Sequence, residues 1–211
     1  RAGPDPHQVQ LVDENKTHPV AVIKEALKAG IRIFGENKVQ EAEAKIPEIG
    51  TDKAEWHLIG HLQKNKVRKA VKMFHVIHSL DSPELAHRLD RICEEEGREI
   101  LPVLVQVDLA EEAAKSGIIE TQLPLLVEVL KRSSHLRFDG LMLMPPLFED
   151  PEETRPYFER LRLIRDRLVE EGVFANGVGQ LSMGMTHDLE VAVEEGATIV
   201  RVGTAIFGDR G

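Results

Sequence analysis

Eight short runs rich in apolar and β-branched residues alternate along the chain with stretches carrying the 3.6-residue period of amphipathic helices. The runs fall at 9–12, 31–34, 56–59, 75–77, 100–107, 138–143, 177–181 and 198–202. Strands that alternate with helices pair in parallel, each pair joined by a right-handed crossover. Eight such units predict a single α/β domain of the (β/α)8 TIM barrel type; a doubly wound open sheet is the other arrangement the pattern permits. With 211 residues, the whole of 1–211 is expected to be one domain with one sizeable core.

Local punctuation agrees with the alternation. Thr17 or His18 precedes Pro19, a residue suited to the first turn of a helix that runs to Gly30. Ser82-Pro83 opens another that ends at Gly97, and the helix starting near Glu36 is expected to stop before Pro47. Helical patterns also cover 63–74, 121–133, 151–171 and 187–195, with Thr186 the expected N-cap of the last.

Composition removes several classes of function. A formal net charge of −9 argues against general binding to nucleic acid or to an anionic membrane. No apolar run approaches membrane-span length, and the opening Arg1-Ala-Gly-Pro-Asp-Pro has no signal-peptide core. Cys93 is the one cysteine, which excludes an intramolecular disulfide and suits a reducing cytoplasm.

In a barrel the working face lies at the C-terminal ends of the strands, and a phosphate site often forms after the seventh and eighth. Two corners fall there. One holds Ser182, Met183 and Gly184; the other is Gly203-Thr204, directly after the last strand. Each joins a glycine to a hydroxyl, so backbone N–H groups stand open to an anion's oxygens. Alternation puts Arg201 on one face of its strand with Ile199, and Val200 with Val202 on the other. Taken round the barrel, the strand ends carry Lys16, Asn37, His61 with Gln63, Ser79, Lys115, Met144, Ser182 and Arg201.

A lysine at a barrel mouth neutralises an anion or forms a Schiff base with a carbonyl. Beside a phosphate corner, the ligands to weigh are a sugar-phosphate carbonyl and pyridoxal phosphate. Arg201 separates them. A guanidinium only donates, so a pyridine nitrogen facing it stays unprotonated and is a weak electron sink. The pair suits pyridoxal phosphate in a weakly catalytic or non-catalytic setting.

Longer motifs point the same way. Gly35-Glu-Asn-Lys-Val-Gln-Glu41, Trp56-His-Leu-Ile-Gly-His-Leu-Gln-Lys-Asn-Lys66, His78-Ser-Leu-Asp-Ser82, Gly140-Leu-Met and the stretch 181–208 together resemble the pyridoxal-phosphate homeostasis protein family. The resemblance runs over nearly the whole chain. It implies a single barrel like the N-terminal domain of alanine racemase, without its second domain; a monomer is expected. It implies that Lys16 forms the internal aldimine, that Arg201 faces the pyridine nitrogen, and that Ser182, Gly203 and Thr204 contact the phosphate. Asn37, Ser79, Met144, Met183 and Gly184 complete the expected cofactor pocket. The family buffers or delivers the cofactor, with apo pyridoxal-phosphate enzymes as partners and no well-established turnover.

The chain departs from the family pattern in two places. The family begins with a longer helical segment, of which only a stub is present here. Its first strand reads like Ala-Val-Ser-Lys, whereas this chain has Asp13-Glu14-Asn15-Lys16. Alternation turns Glu14 inward with Lys16 and Asp13 outward under the helices. The inward carboxylate favours the protonated amine, and the outward one is costly without partners, so a distorted or unpaired strand and impaired aldimine formation are expected.

Other features carry less. His57 and His61 are four residues apart, but Gly60 and the apolar Trp56, Leu58 and Ile59 favour a strand end over a zinc helix. Lys64, Lys66, Arg68, Lys69 and Lys72 read as a solvated helix face, Lys115 as a surface lysine, and Met142, Met144, Met183 and Met185 as pocket lining. The alternative functions are an amino-acid racemase, which needs a second base where only Tyr157 offers a tyrosine, and a class I aldolase using Lys16 with Glu14.

Overall fold

The computed structural model describes residues 9–14, 19–110, 116–175 and 177–203. Within them nine strands are present: β1 (Gln10–Glu14), β2 (Ile33–Glu36), β3 (Glu55–Leu58), β4 (Val76–Leu80), β5 (Leu101–Asp108), β6 (Ile118–Ile119), β7 (Leu136–Met142), β8 (Gln180–Ser182) and β9 (Ile199–Val202). They alternate with helices α1 (Val20–Lys28), α2 (Val39–Ile49), α3 (Val67–Met73), α4 (Pro83–Glu95), α5 (Leu123–Arg132), α6 (Arg155–Glu170) and α7 (Leu189–Glu194). The sheet runs β4-β3-β2-β1-β9-β8-β7-β5-β6, and a further β4–β5 pairing closes it. Every pairing is parallel. The result is a closed eight-stranded barrel, with the two-residue β6 added to the side of β5.

Strand alternation divides the interior in two. Phe34, Trp56, Leu58, Val103, Val105, Leu141 and Leu181 face outward and form the main core with the helices. Val12, Ile59, Val76, Leu104, Met142 and Ile199 form a separate small cluster that fills the barrel itself. Helix α4 shows how local sequence sets an element: Ser82 Oγ accepts from Leu85 N at 3.3 Å, Pro83 occupies the first turn, and Leu85, Ala86, Leu89, Ile92 and Cys93 make the buried stripe.

Three local expectations change. Helix α2 does not stop before Pro47 but continues to Ile49, because Ile46 and Ile49 are both buried against the sheet and outweigh the lost backbone donor. Helix α7 starts at Leu189 rather than near Thr186; Asp188 takes the turn instead, its Oδ1 accepting from Met185 N at 2.6 Å. The third concerns β1, which is neither distorted nor unpaired over its described residues. Gln10 to Asp13 pair with β9, and Asp13 and Glu14 pair with β2 in unbroken register.

The outward Asp13 is tolerated because of what lies behind β1. It is fully buried, with neither carboxylate oxygen hydrogen-bonded among the described residues. Burial, reinforced by Glu14 and opposed by Lys45, pushes its pKa up to about 7. Glu36 is also buried and also lifted to about 7, against the pull of Lys45, whose Nζ donates to Glu36 Oε1 at 2.9 Å. Asp13 and Glu36 thus both draw on the Lys45 ammonium, and protonation near neutrality relieves the excess negative charge.

Candidate functional site

The inner face of the barrel is polar toward the strand C-termini. Arg201, on β9, is 2% exposed and carries no carboxylate contact among the described residues. Its Nη1 donates to Ser182 O and to Ser182 Oγ, both at 2.9 Å, and its Nη2 donates to Leu143 O at 2.9 Å. Burial lowers its pKa to about 10, while Glu14 and Asp188 hold it up from a distance. A cation kept dry against two carbonyls and a hydroxyl retains unused donors and calls for a further acceptor or an anion.

Ser182, at the end of β8, serves this guanidinium directly. Its hydroxyl lies 2.9 Å from both Arg201 Nη1 and His78 Nδ1, so its side chain faces the barrel interior. Gly184 follows with φ +92, a conformation open to glycine, and its carbonyl accepts from Arg201 N at 3.0 Å. Gly203 lies against β1, where a Cβ would stand 3.1 Å from Glu14 O. The two corners therefore flank Arg201, as their positions after β8 and β9 require. Lys16, Thr204 and Lys115 lie outside the described residues.

Beside this cluster a cavity of about 370 Å³ opens at the mouth, lined among others by Asn37, Ile59, His61, Gln106, Ser116 and Met144. Asn37 Nδ2 donates to Glu14 Oε1 at 2.7 Å, which confirms that Glu14 turns inward and ties the end of β1 to that of β2. Ser79 Oγ is buried with no hydrogen-bond partner among the described residues. Met144 is half-exposed at the cavity, whereas Met183 is buried in the core between barrel and helices.

Sequence reasoning missed the two buried imidazoles. His57 and His78 lie 2.9 Å apart, nitrogen to nitrogen, on the inner face of β3 and β4. The signal was their place one residue off the apolar positions of their strands, which puts them inside the barrel. His61, in contrast, is half-exposed and 3.5 Å from Asp81. No group of three or more metal-ligating side chains occurs among the described residues. The basic face of α3 is engaged with acidic neighbours: Arg68 with Glu95 and Glu96, Lys69 with Glu43, and Lys72 with Glu96. Cys93 is buried, and desolvation pushes its thiol up to about 11. Among the described residues no helix is long and apolar enough to cross a membrane.

Residues 14–211 match the alanine racemase N-terminal domain family. The chain is 40% identical over 210 residues to the pyridoxal phosphate homeostasis protein of Aquifex aeolicus, covering all of this chain and 91% of that protein. It is similar in structure to PipY of Synechococcus elongatus without PLP, with a TM-score of 0.90, 43% identity and coverage of 97% and 95% of the two chains. The same protein with PLP bound superposes with a TM-score of 0.85 at 42% identity, over 97% of this chain and 95% of that one.

Proposed function

The chain belongs to the pyridoxal phosphate homeostasis protein family, and we propose that it binds pyridoxal 5′-phosphate at the barrel mouth and buffers or delivers it without turnover. The observation that carries this reading is Arg201: buried, cationic, and hydrogen-bonded only to uncharged acceptors among the described residues. A pyridine nitrogen is an uncharged acceptor of the size and geometry such a donor suits. The group also fits its surroundings. Gly184 and Gly203 let the chain turn tightly against Ala192 and Glu14 on either side of Arg201, the orphaned Ser79 hydroxyl lies near the same end of the barrel, and the mouth cavity lined by Asn37 and Met144 has room for a substituted ring.

When bound, the cofactor supplies an aldehyde that condenses with a lysine amine and a ring that draws electrons. The residues divide the work of holding it. Lys16 offers the amine, Arg201 donates to the ring nitrogen, and the corners at Ser182, Gly184, Gly203 and Thr204 take the phosphate, while Met183, whose backbone N–H is given to Ile199 O at 3.1 Å, backs that corner from the core and does not line the pocket. Asn37, Ser79 and Met144 wall the remaining side. Because Arg201 cannot pass a proton to the ring, carbanion chemistry is weakly supported, which suits storage over catalysis. All these residues come from one chain, so a monomer suffices, and apo-enzymes that need the cofactor are the partners this role implies. The single cysteine and the charge balance suit the cytoplasm.

The racemase alternative needs a base on each face of the ligand. Tyr157 is on α6 with its ring 5.9 Å from that of Phe148, packed on the outer core, and does not line the mouth cavity. The test is a visible titration with pyridoxal phosphate, followed by borohydride reduction and peptide mapping. The expected result is a new absorption band and a label on Lys16. No band, or a label spread over surface lysines, overturns the reading. Alanine in deuterated water, followed by NMR, is expected to keep its α-proton.

A further inference from the structure

Four hydrogen-bonded contacts join the N-terminal end of the barrel to Arg201. Glu55 Oε1, at the first residue of β3 and 48% exposed on its side chain, lies 3.0 Å from His57 Nε2. His57 Nδ1 lies 2.9 Å from His78 Nε2, and His78 Nδ1 lies 2.9 Å from Ser182 Oγ. The last contact is the 2.9 Å bond from Arg201 Nη1 to the same hydroxyl. Every member except Glu55 is buried.

With both imidazoles neutral, the Glu55 carboxylate fixes every hydrogen along this chain of contacts. A guanidinium only donates, so Ser182 Oγ accepts from Arg201. A carboxylate only accepts, so His57 carries its proton on Nε2. In a neutral ring His57 Nδ1 is then bare and must accept from His78 Nε2–H. His78 Nδ1 is bare in turn, and the Ser182 hydroxyl donates to it. His78 is held neutral by complete burial beside His57 and Arg201, which places its pKa well below the usual histidine range. All the donors therefore point one way, from Arg201 toward Glu55.

We propose that Glu55, His57 and His78 are positioning residues: the surface carboxylate sets both histidine tautomers, and these fix the Ser182 hydroxyl as an acceptor that orients Arg201 toward the mouth. None of the three touches the ligand site; they act through Ser182. The inference rests on the cofactor reading only for what Arg201 meets at the mouth, since the relay belongs to the protein alone.

Imidazole ¹⁵N NMR on the full chain without ligand reads the relay directly. Both His57 and His78 are expected as neutral Nε2–H tautomers. Glu55→Gln keeps an acceptor oxygen and is expected to leave both unchanged. Glu55→Lys removes the acceptor and is expected to abolish the single tautomer at His78, two links away, while thermal unfolding stays cooperative. A His78 tautomer other than Nε2–H in the native chain, or one untouched by Glu55→Lys, overturns the proposal. In a second arm, the absorption maximum of added pyridoxal phosphate is expected to shift in Glu55→Lys and His57→Leu but not in Glu55→Gln. With expected tautomers, a native chain that binds no cofactor refutes the cofactor reading and leaves the relay standing. A band identical in all four proteins refutes the coupling to Arg201.

Discussion

Lys45 Nζ stands 2.9 Å from Glu36 Oε1 behind the first two strands of the barrel, and the buried Asp13 carboxylate competes for the same positive charge. The arrangement makes stability fall as pH rises. Each carboxyl is lifted to about 7 in the folded chain, from 3.8 for Asp13 and 4.5 for Glu36, so between those limits the folded state holds more protons than the unfolded one. Their contribution is most favourable below pH ~4 and is lost as pH climbs through ~7. Denaturant unfolding is expected to show Asp13→Ala stabilising by roughly 2–4 kcal/mol at pH 8 and by much less at pH 5.

Removing the ammonium has the opposite sign. Lys45→Met leaves two buried carboxyls with no cation from that residue, and is expected to cost about 3 kcal/mol at pH 8. Pairing it with Asp13→Ala in a double-mutant cycle is expected to recover part of that loss. Strictly additive changes would show that Lys45 and Asp13 do not interact.

Glu14 tests the mouth. Its carboxylate accepts from Asn37 and sits on the face of β1 that alternation assigns to Lys16. Glu14→Val removes a charge that favours the ammonium form of a nearby lysine, so borohydride trapping of pyridoxal phosphate on Lys16 is expected to quicken by about tenfold near pH 7. Equal rates in both proteins would count against any influence of Glu14 on that amine.

Gly140 tests the sheet. It lies where β7 meets β8, and an added Cβ would collide with the backbone of Gln180. Gly140→Ala is expected to destabilise by about 1–3 kcal/mol, because backbone cannot swing aside as a side chain does. A melting temperature unchanged from the parent would refute the close approach.

Cys93 is expected to resist thiol reagents at pH 8 while the chain is folded and to react at once in denaturant, since its thiol is both buried and pushed up to about 11. Rapid native labelling, read by absorbance, would show that α4 opens far more readily than its packing allows.

The barrel was legible in the sequence because its signal is repeated: each strand–helix unit restates the same pattern, so starting the eighth run's strand one residue early, at Thr198, and the seventh's three early, at Gly177, leaves the topology intact. Arg201 and Ser182 were legible because strand ends in a barrel have a known destination. The histidine relay was not. Its members come from β3, β4, β8 and β9, and nothing along the chain states that residues 104 positions apart, such as His78 and Ser182, share a proton. The fate of Asp13 was misjudged for a related reason. Its cost was visible, but relief came from Lys45, a residue of α2 whose burial beside Glu36 only the packed helix reveals.

The seam between β1 and β9 has a consequence for how the protein comes into being. Val12 finds its partner in Arg201, so two strands far apart in the chain must meet before the wall closes. Until then β1 has a bare flank, and the guanidinium on which the ligand reading depends has not been made. A nascent chain cannot carry the cofactor part-built: competence arrives at once, with β9.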